Sequence, residues 1–177
     1  MEDKKELRYT LALLVKDHAG VLQRVVGLFS RRCYNIVSLS VGPTSTEGIS
    51  RITIVVGGNE SIVRQIKNQL EKLIDVHRVV ILDSERSVQS ELLLVKLQTK
   101  DGNRSQVLEL GEVFKAKIVD VTLETITFQM IGGLNKVHSF LDLAKPFGIV
   151  EMARTGMTAL ERGPLPLSLH PYDEDDD

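Results

Sequence analysis

Val15-Lys16-Asp17-His18-Ala19-Gly20-Val21-Leu22, running on to Arg32-Cys33-Tyr34-Asn35-Ile36-Val37-Ser38-Leu39, decides the fold. An apolar strand ends at Val15, and a short polar turn with one glycine follows. Val21, Leu22, Val25, Val26 and Phe29 then recur at helical spacing, with Gln23, Arg24, Arg31 and Arg32 elsewhere on the surface. From Asn35 onward, Val37, Leu39 and Val41 alternate with Ser38 and Ser40, the period-2 pattern of a strand with one buried face. The unit is strand–turn–helix–strand, and its turn is shaped to hold something small.

Reading outward, residues 7–15 are rich in Leu, Tyr, Thr and Val and form the first strand. Residues 42–48 are a loop by composition. Ile52, Ile54 and Val56 mark a third strand, closed by Gly57-Gly58. Asn59 caps a helix carrying Ile62, Ile66, Leu70 and Leu73, and residues 77–83 make a fourth strand. The order β-α-β-β-α-β predicts a ferredoxin-like domain, an antiparallel sheet with both helices on one face.

The polar stretch after residue 83 reads as a linker, and then the pattern returns. Residues 92–99 are a strand and residues 101–115 a helix with Val107, Leu110 and Phe114 on one face. Residues 117–123 and 125–131 form a hairpin. Gly132-Gly133 repeats the earlier glycine pair, Leu134, Val137, Leu141 and Ala144 mark a helix, and residues 149–155 are the last strand. This is an internal repeat, and the chain is α+β with two tandem ferredoxin-like domains. Lys16-Asp17 is matched to Lys100-Asp101, and Gly20 is read as having no counterpart. The expected division is an extension over 1–6, an effector-binding and dimerising domain over 7–83, a linker over 84–90, a second domain over 91–160 and a disordered acidic tail over 161–177. Prolines and the run Asp173-Glu174-Asp175-Asp176-Asp177 argue for that tail.

Composition narrows the function. The 177 residues carry a net charge of −2 with both signs mixed, which argues against a nucleic-acid surface. No apolar stretch is long enough to cross a membrane. The charged start, Met1-Glu2-Asp3-Lys4-Lys5-Glu6, lacks the apolar core of a signal peptide, so a cytoplasmic protein is expected. The single cysteine, Cys33, excludes an intrachain disulfide and a cysteine-cluster metal site. His18, His77, His138 and His170 show no metal-ligand spacing, and nucleophile-elbow and phosphate-loop motifs are absent. No catalytic residue, metal or cofactor is expected in this chain.

The turn Asp17-His18-Ala19-Gly20 admits two readings. Asp17 is a helix cap and Gly20 supplies an unusual backbone angle; or free amide N–H groups at the helix start take a carboxylate, Gly20 lets a ligand approach the backbone, and Asp17 accepts an ammonium. The second reading describes an amino-acid site. In a right-handed βαβ unit the first two strands run parallel, so Asp17 and Asn35 stand at opposite ends of the sheet, roughly 20 Å apart. They share one small ligand only if a second copy packs antiparallel through the edge strand that Asn35 opens. A two-fold homodimer with two sites is the expected unit.

Asp17-x-x-Gly20-x-Leu22-x-Arg24-Val25-x-Gly27-Leu28-Phe29, followed by Arg32-x-Tyr34-Asn35-Ile36-x-Ser38-Leu39, resembles the N-terminal ACT domain of the acetolactate synthase small, regulatory subunits. The likeness continues through Ser50-Arg51-Ile52-Thr53, Glu91-Leu92-x-Leu94-Val95-Lys96 and Ile149-Val150-Glu151-x-Ala153-Arg154-Thr155-Gly156. The resemblance implies a non-catalytic subunit of branched-chain amino-acid biosynthesis. Its partner would be a large catalytic subunit that holds thiamine diphosphate, magnesium and FAD. It implies activation of that partner and feedback inhibition by valine, or by leucine or isoleucine. It places effector contacts on Asp17, Ala19, Gly20 and Val21 of one chain and on Asn35 and Ile36 of the other. The alternative is an ACT-domain amino-acid sensor that regulates another pathway.

Overall fold

Strand Arg8–Lys16 (β1) sends Leu11, Leu13 and Val15 to one face and Ala12 and Leu14 to the other. The computed structural model describes residues 7–100 and 102–170. Helix Val21–Arg31 (α1) buries Val21, Val25, Leu28 and Phe29, one stripe at helical spacing. Strands Ile36–Pro43 (β2) and Ile49–Gly57 (β3), helix Glu60–Glu71 (α2) and strand Val76–Leu82 (β4) complete the first repeat. Asn59 caps α2 as expected, its side chain accepting the N–H of Ile62 at 2.9 Å. The sheet order is β2-β3-β1-β4, with antiparallel neighbours throughout. The core lies between this sheet and the two helices: Phe29, Ile52, Ile54, Val63, Ile66 and Leu70 are all essentially inaccessible.

The second repeat has the same plan. Strands Ser87–Gln98 (β5), Lys117–Val121 (β6), Thr125–Gly132 (β7) and Ile149–Arg154 (β8) are ordered β6-β7-β5-β8. Helices Arg104–Val113 (α3) and Leu134–Ala144 (α4) cover one face. Phe140 stands edge-on to both Phe114 and Phe128, with ring centroids 5.3 and 6.1 Å away. The tandem ferredoxin-like architecture is as the periodicity predicts.

The repeat is deeper than residue identity suggests. One constant offset carries the β-bulge at Leu14/Val15 onto that at Lys96/Leu97, and the bulge between Ile36 and Ser38 onto that between Ile118 and Asp120. The same offset carries Cys33 (φ 56) onto Lys115 (φ 54), each the left-handed residue that ends its helix. It also carries Gly20 (φ 88) onto Gly102 (φ 77). Gly20 therefore has a counterpart, and the pairing of Lys16-Asp17 with Lys100-Asp101 is corrected: backbone conformation, rather than the recurring Lys-Asp dipeptide, sets the register. Asp101 itself lies outside the described residues.

The chain divides into two units, one of residues 7–88 with 157–170 and the other of residues 89–156. The expected boundary at residue 160 is thus corrected, as is the expected disorder over residues 161–170; the rest of the expected tail lies outside the described residues. Strand Thr158–Glu161 (β9) and a 3-10 turn at Leu167–Leu169 belong to the first unit. They lie over the sheet face that the helices leave open, where Ala159 and Leu167 pack with Ala12, Leu82, Leu14 and Val80. Arg51 donates from Nη2 to the Ala159 carbonyl at 2.8 Å, and His170 pairs with Glu161. Prolines and charge dominate this stretch, but its buried apolar side chains, Met157, Ala159 and Leu167, suffice to anchor it. The expected linker is likewise ordered: β5 begins at Ser87, and the Arg162 N–H donates to the Arg86 carbonyl at 2.8 Å. Residues 1–6 and the acidic run 173–177 lie outside the described residues.

Candidate functional site at the turn after β1

The turn between β1 and α1 is held by its backbone. Lys16 donates its N–H to the Asp75 carbonyl at 2.9 Å, and Asp17 donates its N–H to the Gly48 carbonyl at 2.8 Å. Gly20 occupies the cap position of α1 in the left-handed region and makes no side-chain cap bond. Asp17 is therefore not the helix cap, and that half of the first sequence reading is corrected, while its other half holds, since Gly20 supplies the unusual backbone angle at φ 88. With no capping side chain, the helix start keeps its donors. Among the described residues, the N–H groups of Ala19, Gly20, Leu22 and Gln23 meet no acceptor within the chain. Such amides, with the positive end of the helix dipole behind them, attract an anion.

Asp17, His18, Ala19 and Gly20 are all exposed. A Cβ built on Gly20 would meet only Arg24 Nη2, at 3.8 Å, so the space above the glycine is open. Val21 differs from its neighbours. Its side chain is 3% exposed and belongs to the core, so only its backbone reaches the turn, where its N–H points at the His18 carbonyl at 3.4 Å. Asn35 is exposed at the start of β2, and Ile36 packs partly against the core.

The structure brings Asp17, Ala19, Gly20 and Val21 together and keeps Asn35 and Ile36 away from them. Along β3, Ile49 pairs with Lys16 and Val56 pairs with Ile36. At ~3.3 Å per residue the two groups stand about 23 Å apart. β1 and β2 both run antiparallel to β3, hence parallel to each other, and β2 lies at the edge of its sheet.

One charged residue escaped the sequence reading. Asp75, in the joint between α2 and β4, is 5% exposed, and its carboxylate pairs with Arg24 and lies 3.1 Å from His18 Nε2. The available signal was a single acid inside the apolar run Leu73-Ile74-Asp75-Val76, since acids are rarely buried without a partner. Among the described residues, no three His, Cys, Asp or Glu side chains are placed to hold a metal, and no helix is long and apolar enough to cross a membrane.

Residues 11–78 match the model of the acetolactate synthase small-subunit-like ACT domain, and residues 90–163 match that of the small subunit of acetolactate synthase. An acetolactate synthase small subunit of Mycobacterium bovis is 47% identical over 156 residues, spanning 88% of this chain and 93% of that one. A probable acetolactate synthase small subunit of Archaeoglobus fulgidus is 43% identical over 157 residues, spanning 89% and 98%. The crystal structure of the Thermotoga maritima acetolactate synthase small subunit superposes with a TM-score of 0.82 at 34% identity, over 90% of this chain and 99% of that one. Both repeats, their order and nearly the whole length are shared with these proteins, and the chain belongs to the family of acetolactate synthase small subunits.

Proposed function

We propose that this chain is the regulatory subunit of an acetolactate synthase, that it binds valine or a related branched-chain amino acid, and that the bound dimer sets the activity of the catalytic subunit. Family membership supports the regulatory role. The observation that carries the site is the separation of the Gly20 turn from Asn35 at opposite ends of one sheet, with β2 at its edge. Two chains pairing antiparallel through β2 bring the turn of one toward Asn35 of the other, and cover an otherwise unpaired edge. In that site the amides of Ala19 and Gly20 receive the effector's carboxylate, and Asp17 accepts its ammonium. Val21, Asn35 and Ile36 line the remainder.

The mechanism is linkage. Valine favours one arrangement of the dimer, the catalytic subunit's activity depends on that arrangement, and the coupling is typically about 1–3 kcal/mol and reciprocal. Thiamine diphosphate, magnesium and FAD belong to the catalytic partner in this reading, and the assembly works in the cytoplasm. Reconstitution with the cognate large subunit tests it. Added small subunit is expected to raise acetolactate formation, and millimolar valine, leucine or isoleucine to lower it again. No change on adding the small subunit, or no response to any of the three amino acids, overturns the proposal.

A further inference from the structure

The two units solve one joint in two ways. In the first, the Lys16 N–H donates to the Asp75 carbonyl; in the second, the Gln98 N–H donates to the Gly148 carbonyl at 3.0 Å. The offset that carries Gly20 onto Gly102 carries Lys16 onto Gln98 and Arg24 onto Gln106. Where the first unit has Arg24 and Asp75, the second has Gln106 and Gly148. The joint therefore forms without an ion pair, and the backbone bond that closes it does not depend on a carboxylate.

The carboxylate in the first unit is nevertheless buried, at 5% exposure, while its partners Arg24 and His18 have side chains about half exposed. Burying an acid is costly unless it is paired. Asp75 reaches both sides of Gly20: His18 two residues before it and Arg24 four residues after it. Arg24 Nη2 in turn stands 3.8 Å from where a Gly20 Cβ would be. One carboxylate thus ties together the two side chains that flank the open glycine.

We propose that Asp75 is a positioning residue for the effector turn. It fixes Arg24 and His18 around Gly20, and so holds the Ala19 and Gly20 amides in the geometry that takes an amino acid's carboxylate. This rests on the effector reading of the turn. Preorganised donors bind more tightly because no ordering is left to the moment of binding.

The test is valine titration calorimetry on the full-length chain and on Asp75→Asn, Arg24→Gln and the double variant, with thermal unfolding of each. Asp75→Asn keeps the shape and one acceptor. Arg24→Gln alters a half-exposed side chain and leaves Asp75 its contact with His18. The double variant removes both charges, as in the second unit, so it leaves no unpaired buried carboxylate even where a single variant does not fold. Either single variant is expected to weaken valine binding roughly tenfold or more. The double variant is expected to be no weaker than the worse single, because Asp75 acts through Arg24. A folded Asp75→Asn or Arg24→Gln that binds within twofold of the unaltered chain overturns the inference. So does full additivity, which marks two independent structural losses. If the unaltered chain binds no valine, leucine or isoleucine, the effector reading itself fails and this inference with it.

Discussion

Ser38 Oγ accepts the backbone N–H of Met157 at 2.7 Å, fastening the returning C-terminal stretch to β2, the strand that follows Asn35. Ser38 and Ser40 face away from the helices, and Arg51 joins them from β3 through the Ala159 carbonyl. The returning stretch makes a third layer on the first unit: helices, sheet, strap. Because the strap contacts β2, it rests on the strand that would form the dimer.

The strap's anchor is Leu167, 8% exposed against Ala12, Leu82 and Ala159. Leu167→Ala is expected to destabilise the first unit by about 2 kcal/mol, the low end for a buried leucine because the cluster is thin. That shifts its thermal midpoint down by roughly 10 °C. No tyrosine lies within residues 89–156, and Tyr9 and Tyr34 pack against the first core, so tyrosine fluorescence reports on the first unit and not on the second. A shift in that signal with an unmoved transition for the second unit is the expected result.

Cys33 occupies the left-handed position after α1, with Tyr34 N–H donating to the Phe29 carbonyl at 3.0 Å and Cys33 N–H to the Ser30 carbonyl at 3.3 Å. This is a Schellman closure, reinforced by the edge-on contact of Phe29 and Tyr34. A residue with a Cβ is strained there, by about 1–2 kcal/mol. Cys33→Gly is expected to raise stability by roughly 0.5–1 kcal/mol after the glycine's own entropy is charged against it. Urea unfolding followed by tyrosine fluorescence would show the midpoint rise. Cys33→Ala, which keeps the strain, would leave it unmoved.

Gly111 makes the opposite point. A Cβ there would come within 2.3 Å of Phe128 Cε1 and 2.9 Å of Cζ, deep in the second core. Phe128 is fully buried and touches Phe140, so it has nowhere to retreat. Gly111→Ala is expected to cost about 1–3 kcal/mol despite alanine's better helix propensity. Circular dichroism should show the second unit melting earlier, while tyrosine fluorescence and valine binding stay as in the unaltered chain.

Most of the fold was legible because each element carries its own period. Val21, Val25 and Phe29 place the face of α1, although that face takes Leu28 and leaves Leu22 exposed, and Ile52, Ile54 and Val56 fix that of β3, with no help from distant residues. What escaped depends on isolated residues. Ala159 and Leu167 hold the strap without any periodicity, among prolines that suggest disorder. Asp75 meets Arg24 from a remote part of the chain, and no local pattern links the two. The match of Gly20 to Gly102 was hidden by the Lys-Asp dipeptide that recurs out of register, and the shared positive φ reveals it. At the candidate site, the separation of Gly20 from Asn35 followed from strand direction alone, whereas the absence of an Asp17 cap required the dihedral at Gly20.

That separation makes a shared site testable by complementation. If each site takes its turn from one chain and Asn35 from the other, Gly20→Asp removes the first contribution and Asn35→Ala the second, and either homodimer is expected to bind no valine. In a mixed dimer the two defects fall in the same site. The other site then receives an intact Gly20 turn from the Asn35→Ala chain and an intact Asn35 from the Gly20→Asp chain. Refolding the two variants together at equal concentration should therefore restore about a quarter of the original sites, since half the dimers are mixed and each has one working site. A site built within one chain would stay dead in every mixture, because each chain would carry its own defect. Calorimetric stoichiometry separates the two outcomes, and a mixture with no binding would show that Asn35 and the turn do not meet across a dimer.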